Sequence, residues 1–158
     1  MFRDLTRKNR QLSAEDCISI LSTEKRGILS VNGDDGYPYG MPMNHFYNEA
    51  DGCIYFHCGK NGHRNDSLTK NDKVSFCVYD SGYRADGEWA LNINSVIVFG
   101  RVQIVSDKET VCDITAKLSR KFTQDEDYIK REIDSFAHET LLLKLCPEHI
   151  CGKLVNEA

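Results

Sequence analysis

The sequence predicts a mainly β fold with flanking helices, arranged as a small closed or split antiparallel barrel. Three observations predict it. Asp-Gly pairs at Asp35-Gly36 and Asp51-Gly52 separate apolar runs, and such pairs make the tight turns that join antiparallel neighbours. Strand-length runs alternate in polarity, most cleanly where Val74, Phe76 and Val78 alternate with Ser75, Cys77 and Tyr79. Helical periodicity is confined to one stretch before the first strand, a short piece in the middle and a pair after residue 107.

The 158 residues fit a single domain, 1–158, with residues 1–12 as a polar arm. Apolar residues make up 41 %, enough for a real core. The net charge is −4 with the signs well mixed, so nucleic acid and anionic membrane are poor partners. No apolar run approaches the ~20 residues of a membrane span, and the start lacks a signal-peptide core, so the expected location is cytoplasmic. Seven cysteines, an odd number without C-x-x-C, argue against a disulfide framework. Cys53 and Cys58 with His57, and Cys146 and Cys151 with His149, are spaced more widely than usual zinc knuckles, so free thiols and no metal are expected.

In order, Ser13 caps a helix carrying Cys17, Ile18 and Leu21 that ends near Thr23. Gly27–Asn32 is a short apolar strand. Asp34 and Asp35 read as solvated turn chemistry rather than a catalytic dyad. Tyr37 to Asn48 is the partner strand; Pro38 and Pro42 make it an edge, a bulge or a ligand-facing break. A break at Pro42-Met43-Asn44 frees backbone groups for a flat heterocycle; a plain kinked edge strand also fits. Cys53–Cys58 is a strand with Ile54 and Phe56 facing one way and Tyr55 and His57 the other. Residues 80–90 form a loop whose Trp89 covers a pocket or, more commonly, seals the core edge. Leu91 to Val105 is a long strand, apolar on both faces over Ser95–Phe99 and therefore covered on both sides, with Gly100 at a bulge or bend. Asp107 caps a helix with Val111, Ile114 and Leu118 on one stripe. A second helix carries Ile129, Ile133 and Phe136, with a solvated acidic face at Asp125, Glu126 and Asp127. Thr140–Leu145 is the last strand, ended by Pro147. His138 and His149 read as surface residues.

The stretch Ile54–Leu68 carries the chemistry. Gly59 and Gly62 let the backbone bend and approach a ligand. The helix that follows, to about Asn71, begins with unpaired N–H groups that favour an anion, and Lys60, His63 and Arg64 add cationic donors. This is a phosphate cradle in outline, although neither the Walker spacing nor G-x-G-x-x-G is present. A basic surface loop leading into a helical turn fits the same residues.

Taken together, Gly33–Tyr39, Pro42-Met43-Asn44, Ile54–His57, Gly62-His63-Arg64 with Leu68, and Ser95–Gly100 resemble the flavin mononucleotide-binding split-barrel superfamily related to pyridoxamine 5′-phosphate oxidases. Within it the nearest likeness is to the nitroimidazole-resistance branch. The resemblance implies a six-stranded antiparallel split barrel and a homodimer with FMN at the subunit interface. By position, Pro42, Met43 and Asn44 would lie along the isoalloxazine ring, and His57 and Cys58 beneath the ribityl chain. Gly62, His63 and Arg64 would hold the phosphate, with arginine where lysine is usual, and Ser95 would reach in from the long strand. The implied activity is a flavin-dependent reductase that takes electrons from NAD(P)H and passes them to a nitroaromatic-type small molecule. A flavin- or haem-binding module without turnover is the alternative. No carboxy-terminal substrate motif of pyridoxamine phosphate oxidases is present, which argues against that oxidation. No catalytic side chain is assigned; His45 and His57 are considered as proton donors or as structural groups.

Overall fold

A computed structural model describes residues 1–136 and 139–158. The expected placements of His138 and of the Phe136 side chain fall outside the described residues. Helix α1 (Ala14–Thr23) starts where Ser13 accepts a hydrogen bond from the Asp16 amide at 3.0 Å. Strand β1 (Arg26–Asn32) alternates as expected, with Leu29 and Val31 buried. A turn follows with Asp35 at φ 54° and Gly36 at φ 79°.

The Tyr37–Asn48 segment is two strands, β2 (Pro38–Asn44) and β3 (Phe46–Asn48). Of the three readings offered for Pro42, the edge strand holds and the break does not: β2 pairs with β1 without interruption from Asn44 to Pro38. Both prolines are tolerated because β2 is an edge strand, where a missing N–H leaves no neighbour unpaired. The interruption falls instead at His45, whose side chain turns fully into the core.

Strand β4 (Cys53–Gly59) leads to helix α2 (His63–Lys70) and then strand β5 (Lys73–Tyr79). Strand β6 (Asn92–Val105), helix α3 (Lys108–Arg120), helix α4 (Glu126–Phe136) and strand β7 (Thr140–Asn156) complete the chain. All strand pairs are antiparallel, in the order β2-β1-β5-β6-β7-β4-β3. Counting β2 and β3 as the one expected segment gives the six strands of a split barrel. The sheet curls until β2 meets β4, and the split lies between them.

Strand β7 runs well past Pro147, which does not end it. The β6–β7 register shifts between Phe99 and Gly100, so Pro147 sits at a bulge where a missing donor is harmless. Gly100 is required there, because a Cβ would lie 2.2 Å from the Cys146 carbonyl oxygen.

The barrel interior is filled by Leu29, Ile54, Phe56, Phe76, Val98 and Leu143, with α1 plugging it through Cys17, Ile20 and Leu21. The outer face of β4 and β7 is covered by α3, where Val111 and Ile114 pack on Cys53, Tyr55 and Leu142. Asp107 caps α3 as expected, accepting from the Thr110 amide at 2.8 Å. The acidic start of α4 is not merely solvated: Asp125 accepts from the Tyr128 amide, and Glu126 takes a two-pronged contact from Arg120 at 2.8 Å. Trp89 does not seal the core edge among the described residues: it is 74 % exposed. His149 is no bare surface residue: its ring stacks on Phe2 and Phe99, which ties the arm to the sheet. No described helix is long and apolar enough to cross a membrane.

The outer face of β1, β5 and β6 is different. Pro42, Ile28, Cys77, Ile97 and Cys151 form one row across five strands in register. No described helix covers them, and Ile28, Tyr79 and Phe99 are exposed. The expectation that Ser95–Phe99 is covered on both sides is therefore met on the inner face alone within a single chain.

His45 shows how tightly the interior is set. Its Nε2 lies 2.8 Å from the Leu21 carbonyl, and its Nδ1 is buried without a partner. The hydrogen bond needs the proton on Nε2, so a second proton on Nδ1 would meet no acceptor. Burial, then the nearby Lys121, hold its pKa down to about 4. This excludes His45 as a proton donor near neutral pH. Because the folded value is depressed from 6.5, the unfolded chain takes up the proton first as pH falls. Stability contributed by neutral His45 is complete above about pH 6.5 and drains away toward pH 4. Urea unfolding of wild type across that window should show this loss, and the slope should be shallower in His45→Gln.

Candidate functional site

Where β2 meets β4 the split opens into a cleft of about 580 Å³. One wall is Pro42, Met43 and Asn44 at the end of β2; the other is His57, Cys58 and Gly59 at the end of β4. Arg64 reaches in from α2, and Glu139 and Thr140 close the far side. The outer edge of β2 pairs with no described strand, so its free backbone groups border this opening. Six expected site residues are thus brought together: Pro42, Met43, Asn44, His57, Cys58 and Arg64. Thr140 was read only as the start of a core strand and Glu139 was not singled out, yet both belong to the cleft.

The turn into α2 explains the position of Arg64. Gly62 is the residue before the helix and sits at φ 124°, a conformation that disfavours any side chain. Asn65 donates to the Gly59 carbonyl at 2.9 Å, which binds the first helical turn to the end of β4. Arg64 then lies across the split, with Nη1 3.4 Å from Met43 Sδ and Nε 3.2 Å from Asn65 Oδ1. No described carboxylate pairs with it. A guanidinium with no counter-ion among the described residues, at a helix start lined by N–H groups, suits an anion.

Burial keeps His57 and Cys58 in their neutral forms. The walls of the cleft desolvate His57 and lower its pKa. Desolvation raises the Cys58 thiol, partly opposed by the Arg64 charge. Cys58 faces the interior cluster while Cys53 faces the outer one, so the two do not converge on a shared ion. Among the described residues no three metal-ligating side chains gather.

Two expected residues lie elsewhere. His63 turns to the β1–β2 turn: its Nε2 is 3.3 Å from Asp34 Oδ2, and its ring stacks on Tyr39 at 4.3 Å. Lys70 also reaches Asp34 at 3.3 Å, so this carboxylate ties both ends of α2 to the hairpin. Its Asp-Gly context signalled only the turn. Ser95 lies on the uncovered outer face, its hydroxyl 3.3 Å from the Lys153 carbonyl, and does not line the cleft of its own chain.

Comparison with known proteins bears on this arrangement. A family model described as pyridoxamine 5′-phosphate oxidase matches residues 13–154. No curated protein matches the chain. Among solved structures, a candidate 5-nitroimidazole antibiotic resistance protein of Bacteroides thetaiotaomicron is 19 % identical, with 92 % of this chain and 87 % of that one covered and a TM-score of 0.78. A FAD-binding protein of Mesorhizobium loti is 22 % identical over 92 % of this chain and 97 % of its own, with a TM-score of 0.64. A FAD- and haem-binding protein of Mycobacterium smegmatis is 17 % identical over 92 % and 73 %, with a TM-score of 0.71. At these identities the likeness is one of fold.

Proposed function

We propose that this chain, which belongs to the pyridoxamine 5′-phosphate oxidase family, binds flavin mononucleotide in the cleft between β2 and β4 and works as a flavin-dependent reductase. Electrons would come from NADH or NADPH and pass to a small nitroaromatic-type acceptor, in the cytoplasm. One observation carries the binding: the Arg64 guanidinium, with no ion pair among the described residues, stands at the start of α2, inside the split. The residues fit the cofactor. Arg64 and the first amides of α2 suit its phosphate, and the unpaired edge of β2 at Pro42, Met43 and Asn44 suits the flat ring.

Flavin, when bound, supplies the hydride chemistry. The chain positions it, excludes water with the walls of β2 and β4, and keeps His57 neutral, able to hold or pass a proton at its ring nitrogens. Cys58 remains a thiol. A second copy of the chain would cover the row Pro42, Ile28, Cys77, Ile97 and Cys151 and bring Ser95, on that same face, toward the partner's cleft.

Titration with FMN tests the binding: a yellow complex that bleaches anaerobically with NADH or NADPH is expected, and a protein that stays colourless refutes it. A yellow protein that no nicotinamide reduces would favour a binding module, a reading supported by the similar proteins described as FAD-binding and as FAD- and haem-binding. Light scattering tests the pairing. Wild type should be a dimer at low micromolar concentration, and Ile97→Arg a monomer with weakened FMN binding, because a charge is forced into a desolvated face. A monomeric wild type would remove the shared site.

A further inference from the structure

Strands β4 and β7 bring two cysteines together away from the cleft. Ile54 pairs with Leu145, and both side chains face the barrel interior. The next residue on each strand is a cysteine, Cys53 on β4 and Cys146 on β7, so continued register sets them opposite each other. Both therefore face the other way, in the cluster that α3 covers. Directly opposed residues of an antiparallel pair have Cα atoms about 4.5 or 5.5 Å apart, within the roughly 4.4–6.8 Å that a disulfide spans. The two side chains hydrogen-bond to one another, and both are free thiols.

The two thiols differ in access. Cys53 is 7 % exposed, and burial, then the Asp51 carboxylate, push it up to about 11, with the Lys144 ammonium acting against them. Cys146 is half-buried. An oxidant from solvent therefore meets Cys146 first, with Cys53 in contact behind it. That is the arrangement of an attacking thiol and a resolving one.

We propose that Cys53 and Cys146 form a reversible disulfide that staples β4 to β7 when the protein meets hydrogen peroxide. The Cys146 sulfur attacks one peroxide oxygen and the O–O bond breaks. A sulfenic acid forms, and the departing hydroxide leaves as water with the Cys146 proton. The Cys53 sulfur then attacks the Cys146 sulfur: the S–S bond forms, the S–O bond breaks, and a second water carries off the Cys53 proton. The two thiols lose two electrons and the peroxide gains them. A dithiol reverses the bond by exchange. From Cys53, β4 runs on to His57, Cys58 and Gly59 of the cleft, and β7 begins at Thr140 on its far side. The staple thus fastens together two strands that frame the cleft. Any change in FMN affinity rests on the proposed function; formation of the bond does not.

The test treats the full chain, without added flavin, with hydrogen peroxide and digests it without reductant. Mass spectrometry should find a peptide pair joining Cys53 to Cys146, two hydrogens lighter than the separate peptides and released by dithiothreitol. The thermal midpoint should rise by about 5–10 °C, because the bond closes a long loop, and fall back on reduction. Cys146→Ser should abolish both signals. Cys112→Ser, which alters a cysteine outside the pair, should keep both. Cys53 and Cys146 recovered unlinked, a link that leaves the midpoint unmoved, or a rise that survives in Cys146→Ser overturns the proposal. A linked, stabilised chain that binds no FMN upholds the staple and overturns the flavin reading.

Discussion

Phe56→Ala is expected to destabilise the protein by about 3–5 kcal/mol, the range for emptying a large aromatic site in a packed core. Phe56 has no exposed surface and meets Phe76 edge to face at 4.9 Å and 77°. It also opposes Leu143 across the β4–β7 ladder, in the middle of the barrel interior. Neighbours held by three strands have little freedom to collapse into the vacancy, so most of the cavity cost should remain. The midpoint of urea unfolding should shift accordingly with an unchanged slope. Tyr79→Ala is the control: Tyr79 is 60 % exposed on the outer face, and its loss should stay within about 0.5 kcal/mol in the monomer. Similar costs for the two would contradict the assignment of inner and outer faces. Because His57 and Cys58 follow Phe56 on the same strand, the variant should also bind flavin less tightly at temperatures well below its unfolding.

The local signals in the sequence were reliable wherever the partner was local too. The caps at Ser13 and Asp107 each close a bond three residues on. The alternation at Val74, Phe76 and Val78 reports the inner face of one strand and needs no knowledge of its neighbours. Pro147 misled because its effect depends on what lies opposite. Gly100 signalled a bulge, but only the β6–β7 pairing places Pro147 beside it. Pro42 left an edge, a bulge and a break open, and only the whole sheet settles the edge. His45 breaks β2 from β3 by bonding to Leu21, 24 residues away. In the cleft, Pro42, Met43, Asn44 and Arg64 were legible from residue type and turn chemistry, and His57 and Cys58 from the resemblance to the split-barrel superfamily. Asp34 was not, because its turn chemistry is genuine and its second task, holding His63 and Lys70, spans the hairpin and α2.

Arg64→Ala should weaken FMN binding by about 1–3 kcal/mol, roughly 5- to 150-fold, the cost of losing a charge-assisted contact. Riboflavin, which lacks the phosphate, separates two causes. Arg64 also contacts Met43 and Asn65, so its removal loosens the join between α2 and β2. Loosening would reduce affinity for both ligands alike, whereas loss of an anion partner falls on FMN alone. A much smaller change for riboflavin is therefore the expected result, and equal losses would rule out the phosphate role. Arg64→Lys should fall between wild type and alanine, since it keeps the charge but loses the planar fork of donors. Ionic strength supplies an independent check. FMN affinity of wild type should decline with added salt more steeply than that of Arg64→Ala, because the charge that salt screens is the one the variant lacks.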